Sequence, residues 1–406
     1  MIQIHYVDVK YHQQDTFDSC ASAVAQMLLA SLNGGDTPAQ ATLVGATMVE
    51  LCALLNAHKP ATFANAFVAH QDGDFDTACQ RIVDTLSETR VAVPVLVMAV
   101  TTLAVTSAHW ILVTGAVVDD ALPGAAGIKG FFIHNPAPET AIKSLPLRDH
   151  PLLHTPPLPH TEGDFCGSGR AQGAGDVFVS ALTWRRHYWP APGTPAAPPS
   201  YLSITSEQKR VAGNLVTTVR TPSETVKAPP APEPLDGQQA FKAVLQGIAD
   251  NALTTAPPFA AVLPALVNSD SLRGAEPHDV GDPFNEAWTL VQLGSPLQSL
   301  AYAFVDGAGA FLSLQTPPAN TPTLDPIRFA SLAVRADAAE LSDIVPDHFA
   351  SDLVQVEPQW FWRPCHESTS PFYPFRRATV GGRSVYVRWD GRVFRELTPI
   401  RCAHHP

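Results

Sequence analysis

The feature that most limits what this chain can fold into is a change of hydrophobic period near residue 90. Before it, apolar residues recur at helical spacing. ASAVAQMLLASL (21–32) has no Gly or Pro and stops at Asn33-Gly34-Gly35, a C-terminal stop signal. Residues 41–57 read as a second helix. Residues 75–88 read as a third, with Ala78, Ile82, Val83 and Leu86 on one face. After it come β-branched and aromatic runs bounded by turn residues: VAVPVLVMAV (91–100), HWILVTGAVVDD (109–120) and GFFIHNP (130–136). DVFVSALTW (176–184) and SYLSIT (200–205) follow in the same style. Helices followed by the buried strands of one sheet make an α+β domain.

Proline marks where that domain is expected to end. The chain has 38 prolines in 406 residues, about twice average usage. They gather in the loop-rich stretch 137–175, in PAPGTPAAPP (190–199) and in TPSETVKAPPAPEPLD (221–236), whose Pro/Ala composition favours an extended spacer. The expected organisation is therefore a first domain over 1–210, a linker over 211–236 and a C-terminal α+β domain over 237–406. That last part opens with a helix pattern at 241–253. It contains two similar pieces, AYAFVDGAGAFLSLQTP (301–317) and SVYVRWDGRVFRELTP (384–399), each with Asp-Gly between alternating apolar residues, a hairpin signal. They also read as a pair of structural repeats.

Charge and cysteine content exclude several function classes. The net charge is −12, with 12 basic against 18 acidic groups in 1–219 and 14 against 20 in 220–406. Without a basic half the chain is a poor match for a phosphate backbone, so no nucleic acid is expected. Six cysteines spread over 406 residues are too sparse for a disulfide scaffold. Cys52 and Cys79, inside helical patterns, read as buried small hydrophobes. The N-terminal segment MIQIHYVDVKYHQQD lacks a basic start followed by an apolar run, so no secretory signal is expected. The longest apolar stretch, Val91–Val105, is interrupted by Pro94 and two threonines and is too short to span a bilayer. A cytoplasmic location is the default, and signal-less secretion leaves no mark to read.

The chemistry-bearing segment is Gln14-Asp15-Thr16-Phe17-Asp18-Ser19-Cys20, directly before the 21–32 helix. A thiol at a helix N-terminus feels about half a positive elementary charge, which favours the reactive thiolate. Ser19 or Asp18 can cap that helix. Gln14 can bring a side-chain amide to the spot, making an oxyanion hole with the cysteine's backbone N–H. Gln13 takes that part if the register slips by one. His109 enters an otherwise apolar strand, a costly place for an imidazole unless its nitrogens have partners. As a base it must meet the thiol and be held by a third group. Asn135, at the end of the next strand, can accept the imidazole N–H and fix the ring's tautomer. Asp119 and Asp120 are rival holders but read better as a turn, and His134 should point to the opposite strand face as a structural or rim residue. Asp15 and Asp18 read as solvated caps or as a bias toward basic or polar peptides.

Gln14, the five-residue gap, the Cys20 helix, His109-Trp110 running as a strand to Gly115, and Asn135-Pro136 together resemble papain-like cysteine peptidases. The similarity is greatest to the bacterial bacteriocin-processing branch, the double-glycine leader peptidases. It covers residues 1–136 and extends loosely to about 210. That branch carries Asp where this chain has Asn135, and Gly after the cysteine where this chain has Ala21. The resemblance implies a helical lobe led by the Cys20 helix, a β lobe carrying His109 and Asn135, and an extended peptide in the cleft between them. It implies peptide hydrolysis through a Cys20–His109–Asn135 triad and a thioester acyl-enzyme. The alternatives are transamidation or deamidation of protein substrates by the same thioester chemistry, or a peptide-binding module that keeps the fold without catalysis.

The remaining motifs point elsewhere weakly. Gly163–Gly169 is glycine-rich but lacks the Lys-Ser/Thr of a phosphate loop. Cys365-His366 with Cys402, His404 and His405 has zinc-type ligands at spacings that match no standard knuckle. No cofactor or metal is therefore expected. Trp360, Phe361, Trp362, Phe372, Tyr373 and Phe375 form an aromatic cluster read as core, with a partner-binding or substrate-positioning surface as the alternative.

Overall fold

The structure, a computed structural model, describes residues 1–12, 14–15, 19–35, 37–45, 47–100, 105–136, 174–185, 201–207, 216–217, 235–264, 272–275, 278–279, 288–295, 298–316, 354–362, 367, 375–380, 383–388 and 393–397. The elements in chain order are β1 (Ile2–Tyr6), α1 (Cys20–Leu32), α2 (Met48–His58), β2 (Ala66–Asp72), α3 (Phe75–Glu88), β3 (Val93–Val100), β4 (Val105–Asp119), β5 (Ile128–Asn135), β6 (Ala174–Ser180), the short α4 (Ala181–Thr183), β7 (Tyr201–Glu207) and β8 (Val216–Thr217). There follow α5 (Gly237–Asp250), β9 (Leu272–Ala275), β10 (His278–Asp279), β11 (Trp288–Ser295), β12 (Gln298–Asp306), β13 (Phe311–Gln315), β14 (Val354–Trp362), β15 (Phe375–Val380), β16 (Arg383–Arg388) and β17 (Val393–Phe394). The fold is α+β, as the change of period requires.

The helices start where local chemistry starts them. At α3 the Asp74 carboxylate accepts the Thr77 N–H, and Ala78, Ile82, Val83 and Leu86 are all buried. The helix expected over 41–57 is interrupted. A 3-10 turn at Gln40–Thr42 is followed by irregular chain, and α2 begins only after Thr47. The cause is a capping box: the Thr47 hydroxyl accepts the Glu50 N–H while the Glu50 carboxylate accepts the Thr47 N–H. The Leu43 carbonyl meanwhile accepts the Ser22 hydroxyl at 2.6 Å, which ties this stretch of chain to α1.

Twelve strands form one sheet in the order β8-β2-β7-β3-β4-β5-β6-β13-β12-β11-β9, with β1 paired to the far half of β4. One face carries α1 and α2, packed through Val24, Leu28, Leu51 and Leu55 onto Phe67, Trp110, Leu112 and Ile204. The same core composition continues under α5, where Ala240, Val244 and Ile248 meet Val117, Phe132, Phe178 and Val305. The opposite face joins α3 with the second sheet, β10-β14-β15-β16-β17, through Ile82, Ile111, Phe131, Phe304 and Phe375.

The sheet does not break at the proline-rich stretch expected to separate two domains. β6 pairs with β13 through Val179 and Ser313, so β9 and β11–β13 extend the sheet begun by the first 210 residues. The two Asp-Gly pieces are both hairpins but lie in different sheets, β12–β13 in the large one and β16–β17 in the small one. In the first hairpin the Asp306 carboxylate accepts the Ala308 and Ala310 N–H groups, and Gly309 supplies the left-handed residue at φ 82°. Phe375 of the aromatic cluster is fully buried, edge-on to Phe394. Phe372 and Tyr373 lie outside the described residues.

Candidate active site

The site forms where the N-terminus of α1 meets β4 and the end of β5. Cys20 is the first residue of α1. Ser19 occupies the N-cap position, but its side chain bonds no helix N–H; its hydroxyl lies 3.4 Å from Gln40 Oε1 instead. Ser19 therefore does not compete with the sulfur for the partial positive charge of the first-turn N–H groups.

His109 on β4 is buried, with 8% of its surface exposed, and it bridges to both expected partners. Its Nε2 lies 2.8 Å from Asn135 Oδ1 at the end of β5. A hydrogen bond also links it to Cys20, and with Nε2 taken by Asn135 the nitrogen left for the thiol is Nδ1. The amide oxygen can only accept, so Nε2 carries a proton in either charge state.

The pKa shifts run opposite to what burial alone would do. Burial pushes the Cys20 thiol up, but the hydrogen bond and charge of His109 and the backbone N–H groups of Trp110 and Ala21 outweigh it, and the thiol falls below its ordinary value. Burial likewise pushes His109 down, but the bond and charge of Cys20 and the Asn135 bond lift it above the usual histidine range. Each group favours the charged form of the other, the direction of coupling that a thiolate–imidazolium pair needs.

The segment before the cysteine is fastened to the end of β5. The Gln14 N–H donates to the Pro136 carbonyl at 2.9 Å, and the Gln14 side chain is buried. The Tyr11 hydroxyl donates to the Asn135 carbonyl at 3.0 Å. His134 Nε2 lies 2.6 Å from the Val9 carbonyl, while its Nδ1 accepts the Asp176 N–H at 3.0 Å. In those two contacts Nε2 is the donor and Nδ1 the acceptor. His134 is fully buried and ties β5 and β6 to the irregular segment after β1, so of its two expected roles the structural one holds and the rim one does not.

The rival residues fall elsewhere. Asp119 closes the turn after β4, accepting the Ala121 N–H and pairing with the chain's amino terminus. Asp120 donates its N–H to the Met1 carbonyl. The Asp15 N–H donates to Gln40 Oε1 at 3.0 Å. Gln13, Asp18, residues 163–169, Cys365, His366, Cys402, His404 and His405 lie outside the described residues. Among the described residues no group of three His, Cys, Asp or Glu side chains could hold a metal, and no helix is long and apolar enough to cross a membrane. Cys52 and Cys79 are buried as expected.

Two contributors to this end of the molecule carry no sequence signal. Tyr11 sits in an irregular segment, and Gln40 is a glutamine in a short 3-10 turn that is nonetheless buried. No protein-family model matches the chain, and no curated protein and no solved structure is significantly similar to it.

Proposed function

We propose that the chain is a papain-like cysteine peptidase. The observation that carries this reading is the buried Cys20–His109–Asn135 chain of hydrogen bonds, with the thiol pKa lowered and the imidazole pKa raised within it. A structural cysteine has no need of either shift. In this reading α1 and α2 are the helical lobe and the strands around β4 and β5 the β lobe, with the peptide lying along the junction.

The Cys20 thiolate attacks the scissile carbonyl and forms a carbon–sulfur bond. The carbonyl oxygen becomes an oxyanion, held by the Cys20 backbone N–H and the Gln14 amide. The His109 imidazolium gives its Nδ1 proton to the leaving amine as the carbon–nitrogen bond breaks, which leaves a thioester. Water then attacks the thioester, His109 takes the water's proton, and the carboxylic acid leaves as the thiolate returns. Asn135 accepts from Nε2 throughout and keeps the ring in register.

The test is to incubate the full chain with a denatured protein mixture and sequence the new N-termini by mass spectrometry. Wild type should generate new termini that neither Cys20→Ala nor His109→Ala generates. Identical termini from Cys20→Ala, or none from wild type, would count against the reading.

A further inference from the structure

The loop between the oxyanion donor and the nucleophile is closed by a residue far from both in sequence. Gln40 is 4% exposed and sits in the 3-10 turn that leads away from α1. Its Oε1 accepts the Asp15 N–H at 3.0 Å and lies 3.4 Å from the Ser19 hydroxyl. Asp15 immediately follows Gln14, and Ser19 immediately precedes Cys20. One carbonyl oxygen therefore gathers both ends of the 15–19 loop. Gln40 is itself held, because its Nε2 donates to Gln26 Oε1 at 3.0 Å and Gln26 Nε2 donates to the Pro38 carbonyl at 3.3 Å. The anchor is thus the second turn of the helix that carries Cys20.

We infer that Gln40 is a positioning residue that sets where Gln14 stands relative to Cys20. This rests on the peptidase reading. An oxyanion donor works only when it lies about 3 Å from where the oxyanion forms, and misplacement of about 1 Å costs roughly a hundredfold in rate. Gln14 is fixed on one side by its N–H bond to Pro136, and Cys20 on the other by α1. Gln40 joins the residue after Gln14 to the residue before Cys20, and so couples the two placements. Its bonds to Asp15, Ser19 and Gln26 involve none of Cys20, His109 and Asn135.

Two reactions of the same sulfur separate positioning from general support. Alkylation by iodoacetamide displaces iodide from a saturated carbon, forms no oxyanion and reports only the thiolate. Acylation by p-nitrophenyl acetate makes a thioester and releases p-nitrophenolate through an oxyanion. The full-length protein is assayed both ways at pH 6, as wild type, Gln40→Leu, Gln40→Asn, Gln40→Glu, Gln14→Ala and Gln14→Ala/Gln40→Leu. Gln40→Leu should acylate about tenfold more slowly, as expected for a displaced oxyanion donor, while alkylating within about twofold of wild type. Gln40→Asn, one methylene too short to reach both ends, should behave the same and carries the test if Gln40→Leu fails to fold. Gln40→Glu keeps the acceptor for Asp15 and Ser19 but loses the donor to Gln26, and should acylate faster than Gln40→Leu while staying below wild type. The double variant should acylate no more slowly than Gln14→Ala. Equal losses in both reactions, an unchanged acylation rate in Gln40→Leu and Gln40→Asn, or additive losses in the double variant would overturn the inference. If wild-type Cys20 gives neither fast reaction, the peptidase reading itself fails and takes this inference with it; loss of the split alone removes Gln40 and leaves that reading standing.

Discussion

Two regions of this protein bury a histidine near a cysteine-bearing helix, and they treat those groups in opposite ways. At the start of α1, Cys20 is pushed below the ordinary thiol value and His109 above the ordinary imidazole value. Around β2 the signs reverse. Burial pushes Cys52 up to about 11, and burial with the nearby Asp76 charge pushes Cys79 well above its ordinary value. His70 is pulled below its usual value by burial and by the Arg81 guanidinium, although Glu207 Oε1 lies 2.7 Å from its Nε2. Desolvation acts the same way in both places. The difference lies in the partners. Cys52 sits inside a helix with its thiol toward the Phe67 carbonyl, and the backbone N–H of Ala69 that also reaches it does not offset its burial. Cys20 sits at a helix start facing N–H groups and an imidazole. Helical residence alone therefore says nothing about thiol reactivity; the end of the helix and the charge opposite it decide the sign.

The largest expected effects separate the two regions by activity. Cys20→Ala and His109→Ala should each lower peptide hydrolysis by about a thousandfold or more, the scale of losing a nucleophile or its base, while Cys52→Ala and His70→Gln should leave it near wild type. Rates on a substrate found in the cleavage screen measure this. Asn135→Ala should cost about a hundredfold. Asn135→Asp keeps the acceptor and adds a charge that favours the imidazolium. It should retain most of the rate and move the alkaline limb of the pH profile upward, because a His109 pKa raised further loses its proton at higher pH.

Next in size is an effect on stability confined to the β2 region. Arg81 makes two 3.0 Å bonds to Asp72, which is fully buried. Arg81→Ala removes the cation that faces that buried carboxylate and should destabilise the fold by about 3 kcal/mol, read from urea unfolding. It should also raise the His70 pKa, since a cation that depresses it is gone, and leave Cys20 labelling unchanged. The smallest effect belongs to Cys79→Ala, which removes a buried thiol and should cost about 1–2 kcal/mol of stability with no change in rate. A rate loss in that variant would erase the distinction between the regions.

Much of this was legible in the chain because it is local. Asp74 and the apolar face of α3 mark that helix, and the β-branched runs mark β3, β4 and β5. Cys20, His109 and Asn135 could be singled out because each is a polar residue where the pattern calls for an apolar one or a cap. What could not be read is what distance in sequence hides. Nothing local announces that β6 pairs with β13 across the proline-rich stretch, since strand pairing is settled by which edges meet. The Thr47–Glu50 capping box was present as a signal, but the apolar run around it reads as one longer helix until the Ser22–Leu43 bond shows where the chain turns. Gln40 and Tyr11 are ordinary polar and aromatic residues whose importance comes wholly from what lies against them.

The most direct measurement is iodoacetamide labelling from pH 5 to 9 with each cysteine mapped by mass spectrometry, on wild type and His109→Ala. The sign follows from the two shifts. A lowered thiol pKa keeps Cys20 ionised as pH falls below the ordinary thiol range, and a raised imidazole pKa keeps His109 charged as pH rises, so the pair spans the window between them. Fast labelling of Cys20 at pH 6, lost in His109→Ala, with Cys52 and Cys79 slow throughout, is the predicted result. Cys20 labelling at pH 6 no faster than Cys52 and Cys79, and unaffected by His109→Ala, would contradict the account.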